Sequence, residues 1–255
     1  MDISEFRRLY ETKNYLRHPW EIARGKIMLT LLPAKVPVPL QKLVDIGSGD
    51  AYVINLAYNK NIAESYFAID TAYTDDILDL LRKNNNNSNI AYFKSIAEFQ
   101  NSNPPEGQSI YLIMDVIEHL ENEKIVLEPV TLAAPSKESA YFFISVPAFQ
   151  SVFSHHDVLL GHYRRYTVDQ LKKVCLSQGL TVLDSGYFFF SLLIARWFEK
   201  KLLRKKDYSI DNWNGSTLKT NFILFILDMD FKISRILKKI GLNLPGLSSY
   251  CICKL

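Results

Sequence analysis

Short apolar runs alternate along this chain with stretches whose apolar positions recur at helical spacing. The runs at 43–46, 66–69, 90–93, 110–114 and 141–146 are too short for helices and read as buried strands. Helical patterns lie at 51–57, 75–82, 121–133 and 168–177, and further strands are predicted at 181–187 and 248–253. Strands alternating with helices predict an α/β domain with a mostly parallel sheet. Residues 2–32 read as two helical pieces broken at His18-Pro19, with Pro19 suited to the first turn of the second piece. Pro33, Pro37 and Pro39 make an extended connector, while 84–88 and 101–108 are polar loops. Residues 188–244 depart from the alternation. Three parts follow: a helical cap and connector at 1–40, a core at 41–187 plus 245–255, and a helical insert at 188–244.

The densest signal lies at 41–50. The run 43–46 leads straight into Gly47-Ser48-Gly49, and helical spacing resumes at Ala51. Strand, tight turn and helix follow. Glycines there let backbone approach a ligand closely, and the helix start offers unpaired N–H groups. A dinucleotide fingerprint needs a third glycine at position 52, where Tyr52 stands. Asp45 suits a ligand with a positive amino group better than a pyrophosphate. Asp70 closes the second strand, where a carboxylate can accept from both ribose hydroxyls. Together the two acids favour a nucleoside with a zwitterionic tail and no phosphates. The plainer alternative is a turn acid and a strand-end acid of any α/β fold.

These residues resemble the class I S-adenosylmethionine-dependent methyltransferases. Val44-Asp45-Ile46-Gly47-Ser48-Gly49 is similar to their first motif, and Ala68-Ile69-Asp70 to their ribose-binding acid. Leu112-Ile113-Met114-Asp115-Val116-Ile117-Glu118-His119-Leu120 resembles the fourth-strand motif of a subgroup reading DVLEH, and Ser145-Val146-Pro147 matches the end of the fifth strand. The likeness covers 41–187 and the last strand. It departs at Ala51, where many members have a third glycine. It departs again at Lys94-Ser95-Ile96, where members often place an acid for the adenine amino group, leaving Ser95 for that role. The resemblance implies a Rossmann-like, seven-stranded, mostly parallel sheet with an antiparallel last strand, and S-adenosylmethionine as cofactor. It puts Asp45, Gly47, Ser48 and Gly49 against the methionine part and Asp70 with Thr71 at the ribose. Asp115 and Val116 would face the reacting methyl. No metal is expected, since the sulfonium is already activated.

The stretch 146–167 follows the fifth strand and is expected over the open end of the sheet. It carries His155, His156, Asp157, His162, Tyr163, Arg164, Arg165 and Tyr166. It is similar to the HD…GHYRRYT segment of a methyltransferase subgroup associated with glycan or lipid modification. His156 is a candidate base for a hydroxyl nucleophile, with Asp157 setting the tautomer of a neighbouring His, and His119 is a second candidate. His162, Arg164, Arg165 and Tyr166 are candidates for the acceptor, the arginines for an anionic group. In the competing reading Arg and Asp pair to pin the loop, Thr167 caps the next helix, and His119 is a satisfied helix-end histidine.

Composition narrows the partners. A formal charge of +3 is too small to imply nucleic acid. Cys175, Cys251 and Cys253 suit neither a disulfide framework nor a four-ligand zinc site, and Cys251-x-Cys253 reads as core packing. The charged start of the chain predicts no signal peptide, and no apolar run reaches the ~18 residues of a span. A cytoplasmic protein is expected, with 188–240 available to the inner face of a membrane. In that insert 187–198 is nearly all apolar, and Arg196, Lys200, Lys201, Arg204, Lys205 and Lys206 accompany or follow it. Residues 222–240 mix apolar positions with Lys232, Arg235, Lys238 and Lys239. The insert reads either as interfacial helices or, the preferred reading, as a helix pair forming a lid or dimer surface. Two more stretches are decoys in this reading. Asn103-Pro104-Pro105-Glu106 precedes the fourth strand and reads as a turn. His18-Pro19-Trp20-Glu21 with Arg24 could cover the cofactor, but Trp20 and Tyr15 read better as a helix-to-sheet staple. The expected function is methyl transfer to a hydroxyl, rather than an amine or carbon, of a small molecule, glycan or lipid-linked acceptor. A non-catalytic cofactor-binding module and a nicotinamide-dependent oxidoreductase are the rivals, separable by product formation and by binding titration.

Overall fold

The computed structural model describes residues 17–84, 89–102, 107–133, 140–199, 213 and 215–255. The first N-terminal helical piece with Tyr15, the loop at 85–88, the turn at 103–106, and Lys200, Lys201, Arg204, Lys205 and Lys206 lie outside the described residues. Strands β1 (Leu40–Ile46), β2 (Ala63–Ile69), β3 (Ile90–Phe93), β4 (Ser109–Met114), β5 (Ala140–Pro147), β6 (Thr181–Phe188) and β7 (Ser248–Lys254) form one sheet. Their order is β3-β2-β1-β4-β5-β7-β6. The first five strands pair in parallel, and β7 runs antiparallel to both β5 and β6. The expected seven-stranded, mostly parallel sheet with an antiparallel last strand is therefore the observed one.

Near-continuous apolar strands are what a sheet covered on both faces requires. The alternation is visible residue by residue. Leu43, Ile110, Leu112, Tyr141, Phe143, Tyr250 and Ile252 point to one face. Val44, Ile46, Tyr111, Ile113, Phe142, Ile144, Cys251 and Cys253 point to the other. Helices α1 (Pro19–Leu31), α2 (Tyr52–Tyr58) and α3 (Asp75–Asn84) cover the first face. Helices α4 (Ile96–Ser102), α5 (Lys124–Ala133) and α7 (Val168–Ser177) cover the second, with Cys175 packed beside Cys251 and Cys253. All three cysteines are free and buried, as core packing demands. A short helix α6 (His155–Leu159) sits in the loop after β5. Helix α4 was not expected, because Phe99 is its only buried residue and one anchor gives no period. Helix α5 starts three residues late, where Asn122 Oδ1 accepts from Lys124 N–H.

The insert folds as α8 (Phe190–Phe198) and α9 (Thr217–Lys239) among its described residues. Helix α9 is fastened polar group by polar group. The register of β6 slips between Val182 and Asp184, and Asp184 takes Lys238, Arg235 and the Tyr250 hydroxyl, the last at 3.1 Å. Asp230, buried in α9, accepts from Ser191 N–H at 2.9 Å and Ser191 Oγ–H at 2.8 Å. It thereby caps the start of α8 from another helix, since Phe189 before it offers no side-chain acceptor. Asp230→Ala should lower unfolding free energy by about 1.5–3 kcal/mol, the range for hydrogen bonds to a charged group. Urea denaturation followed by circular dichroism checks it; an unchanged midpoint would mean that α8 starts without this acceptor.

Candidate active site

Strand β1 lies between β2 and β4, so the connections leave it in opposite directions and a crevice opens at its carboxyl end. Asp45 stands there, only 3% exposed. Ser48 Oγ–H donates to Asp45 Oδ2 at 2.8 Å. Gly47 and Ser48 donate their N–H groups to Ile69 O at 2.8 and 3.1 Å. Gly49 N–H donates to Asp70 Oδ2 at 2.9 Å, and Ala72 N–H to Asp70 Oδ1 at 2.9 Å. The turn therefore ties the two acids to neighbouring strand ends, and the Tyr73 hydroxyl closes it by donating to Gly49 O at 3.0 Å. Gly47 has φ +72°, and a Cβ there would stand 2.4 Å from Val116 Cγ2. Only glycine allows this approach of β1 to the end of β4. Ala51, the departure from the third glycine, sits at φ +59°, so the backbone takes the left-handed bend even with alanine.

The remaining cofactor candidates divide. Asp115 has φ +54° at the end of β4, a conformation Asp tolerates better than most residues. Its carboxylate is paired with Arg24 of α1. Thr71 is exposed at the mouth of the crevice. Ser95 serves as the cap of α4: its Oγ accepts from Glu98 N–H at 3.1 Å while Glu98 Oε2 accepts from Lys94 N–H at 2.7 Å. The expected staple is not seen in the described residues, since Trp20 is exposed, and the entry of helix α1 carries charge instead. Arg17 pairs with Asp50 and Glu21 and lies 3.8 Å from the Tyr52 ring centre. The spacing Arg17, Glu21, Arg24 puts one charged face of the helix entry over the crevice. That i, i+4, i+7 pattern was the available signal for Arg17 and Arg24. His18 stacks on Trp20, ring centres 4.0 Å apart, on the same segment.

The loop after β5 is organised by Asp157, which is fully buried. Its carboxylate accepts from Ser154 N–H at 2.8 Å, His162 Nδ1 at 3.0 Å, Arg165 Nε at 2.8 Å and Arg165 Nη2 at 2.7 Å. Burial alone would push this carboxyl up, yet His162 and Arg165 hold it well below the usual range. The histidine that Asp157 orients is thus His162, not His156. Arg165 also donates to Ala148 O at 3.3 Å, so the guanidinium expected on an acceptor clasps the loop instead. Arg164 is likewise turned to the fourth-strand loop, donating to Glu121 O at 2.6 Å and pairing with Glu123 at 3.5 Å. Tyr166 is buried, and Thr167 caps α7. His119 and His162 meet nearly edge to face, ring centres 4.6 Å apart. His156 is half-buried on α6, and burial, then Arg196, lower its pKa. Glu118, which the sequence reading passed over, is wholly buried beside these rings.

An apolar hollow of about 490 Å³ adjoins this loop, lined by Phe149, Val152, Leu193, Ile194, Trp197 and Phe198 among others. It brings α8 of the insert against the segment that carries His156.

Burial raises the Asp45 carboxyl from its ordinary 3.8 to about 7, with Ser48 opposing. A raised carboxyl favours folding when protonated, so this contribution is full below pH 3.8 and is lost as pH rises to about 7. Asp45→Asn should raise the urea midpoint on the alkaline side of that window and leave it near wild type on the acid side. Equal effects on both sides would place the Asp45 titration elsewhere.

No family model matches the chain, and no curated protein matches it in sequence. Solved structures do match. One is an S-adenosylmethionine-dependent methyltransferase from Archaeoglobus fulgidus, 18% identical, covering 98% of this chain and 100% of that one at a TM-score of 0.55. Another, from Mesorhizobium loti, is 12% identical over 91% of this chain and 100% of that one, TM-score 0.52. Phosphoethanolamine N-methyltransferase 2 of Haemonchus contortus, in complex with S-adenosyl-L-methionine, is 11% identical over 90% of this chain and 52% of that one, TM-score 0.51. At these identities the likeness is one of architecture: the chain has the fold that these S-adenosylmethionine-dependent methyltransferases share.

Proposed function

We propose that the chain is an S-adenosylmethionine-dependent methyltransferase acting on a hydroxyl of a small molecule, glycan or lipid-linked acceptor. The observation that carries this reading is the tie between Gly49 N–H and the Asp70 carboxylate at the mouth of the β1–β2 crevice. It holds a pair of acceptor oxygens where a nucleoside ribose would lie, one turn from a buried acid suited to an ammonium. Gly47, hard against Val116, keeps that floor free of side chain. The strand order also speaks against a nicotinamide enzyme, whose sheet would run 3-2-1-4-5-6 without an antiparallel β7 between β5 and β6.

In this reading the residues fit the donor, which brings a methyl already activated on sulfonium. Asp70 accepts from the ribose hydroxyls through lone pairs not used by Gly49 and Ala72. Asp45 loses its proton when the donor ammonium approaches, and Arg24 is the cation suited to the donor carboxylate. His156, with a pKa lowered by burial, stays neutral and able to take the acceptor proton. His119 and Asp157 are the weaker catalytic candidates, the first exposed and the second committed to the loop. The enzyme's main contribution is alignment of donor and acceptor in a dry crevice.

The apolar hollow suits an acceptor with an apolar portion. Helix α9 adds an exposed stripe of Phe222, Phe225, Met229, Ile233, Ile236 and Ile240 at helical spacing, with Lys219, Lys232 and Lys239 exposed alongside. No described helix is long and apolar enough to cross a membrane. An apolar stripe edged by lysines instead lies in a membrane interface, and each lysine near an anionic leaflet adds about 1 kcal/mol.

Asp70→Ala should abolish donor binding, read by calorimetry, while leaving the cooperative melt in place; unchanged affinity removes the ribose assignment. Wild-type protein should sediment with anionic vesicles, and a Phe222→Glu/Phe225→Glu double variant should not. Failure of the wild type to sediment ends the membrane reading and leaves a lid or dimer surface.

A further inference from the structure

We propose that Glu118, His119 and His162 form a site for one divalent transition-metal ion beside the methyl-transfer crevice. The three side chains come from two loops, Glu118 and His119 from the turn after β4 and His162 from the segment after α6. One ligand atom of each lies within 4.8 Å of the others. Backbone joins the loops as well, Tyr163 N–H donating to Glu118 O at 2.8 Å.

The independent sign of a ligand is Glu118 itself. Its side chain is 0% exposed, and among the described residues neither carboxylate oxygen has a hydrogen-bond partner. A buried carboxyl with no donor is expensive to keep unless a proton or a cation neutralises it. Arg24 and Arg165 lie close enough to feel its charge, but Arg24 is paired with Asp115 and Arg165 with Asp157. The proteins that hold metals this way also fix the outer nitrogen of each histidine with a carboxylate or carbonyl. His162 has that arrangement. Asp157 Oδ1 takes Nδ1–H at 3.0 Å, which leaves Nε2 as the lone-pair nitrogen.

Two imidazole nitrogens and one carboxylate oxygen suit zinc, manganese, iron or cobalt rather than calcium. Three protein ligands leave a coordination position open. The site lies three residues beyond Asp115, which follows β4 at the crevice. This part of the inference rests on the methyltransferase reading: the open position would take the acceptor hydroxyl and lower its pKa. The oxygen lone pair then attacks the methyl carbon and the C–S bond breaks. Its electron pair stays on sulfur as a thioether, and the hydroxyl proton passes to His156 or water. The metal keeps its oxidation state throughout. This proposal departs from the expectation that no metal takes part.

The test uses the purified full chain, stripped by chelator and titrated with Co²⁺ and then Zn²⁺. The proposal expects one Co²⁺ per chain with intensified visible d–d bands, displaced by Zn²⁺. It expects affinity at least about tenfold weaker in Glu118→Gln and in His162→Gln. His119→Gln changes an exposed side chain, so it reports on the site even if a buried variant fails to fold. No cobalt spectrum in the wild type overturns the site, as does wild-type affinity in all three variants. The Asp70→Ala protein separates the two readings. It should bind Co²⁺ like wild type while losing the donor. A wild-type chain that binds cobalt but no donor sinks the methyltransferase reading and keeps the metal site.

Discussion

Six carboxylates, Asp45, Asp50, Asp70, Asp115, Glu118 and Asp157, gather around the open end of the central strands, and the local structure is a set of answers to their burial. A carboxylate removed from water has to be protonated, paired or hydrogen-bonded. Asp70 is held by backbone N–H groups, Asp50 by Arg17 just before α1, Asp115 by Arg24 within α1, and Asp157 by a guanidinium and an imidazole. Asp45 and Glu118 have less help. Burial pushes them up to about 7 and about 8 respectively. These two are the places where an incoming positive group would gain most.

This constraint explains why α1 and the loop after β5 fold over the sheet as they do. Arg24 sits in, and Arg17 just before, a helix that packs Ile27, Met28 and Leu31 into the core. Apolar burial fixes the helix, and its charged end is then carried to the acids. In the loop, Arg165 reaches back to Ala148 O and Asp157 at once, which joins the end of β5 to the start of α7. Breaking such a buried pair by removing one partner typically costs about 3–5 kcal/mol. Residues that look like substrate hands in the sequence are therefore part of the frame that holds the histidines.

The insert answers a different demand. Helix α9 buries Leu227 and Phe231 toward the core side and fixes its polar groups on Asp184 and Ser191. Its outer stripe stays apolar and exposed. Together with the hollow between α8 and the loop after β5, it gives one side of the molecule an apolar character next to the candidate chemistry.

Much of this was legible before any coordinates. Alternating apolar runs set the strand count and the parallel core, because a strand buried on both faces leaves a run that no helix of similar length would show. The Gly47–Gly49 turn with Asp45 and Asp70 was readable because backbone geometry and strand ends are local properties. Helix α4, anchored by Phe99 alone, left no period to read. Asp157 and His162 stand five residues apart, yet only the fold around them shows that this His, and not the adjacent His156, receives the carboxylate. Arg165 and Arg164 carry the same charge in the sequence whether they face solvent, a substrate or their own loop. Glu118 looks like any turn acid until its burial beside two histidines is seen. Pattern along the chain determines which elements form and where they end. Which polar groups meet is decided only when distant segments pack, because burial and partnership are properties of the assembled molecule and not of any stretch of it.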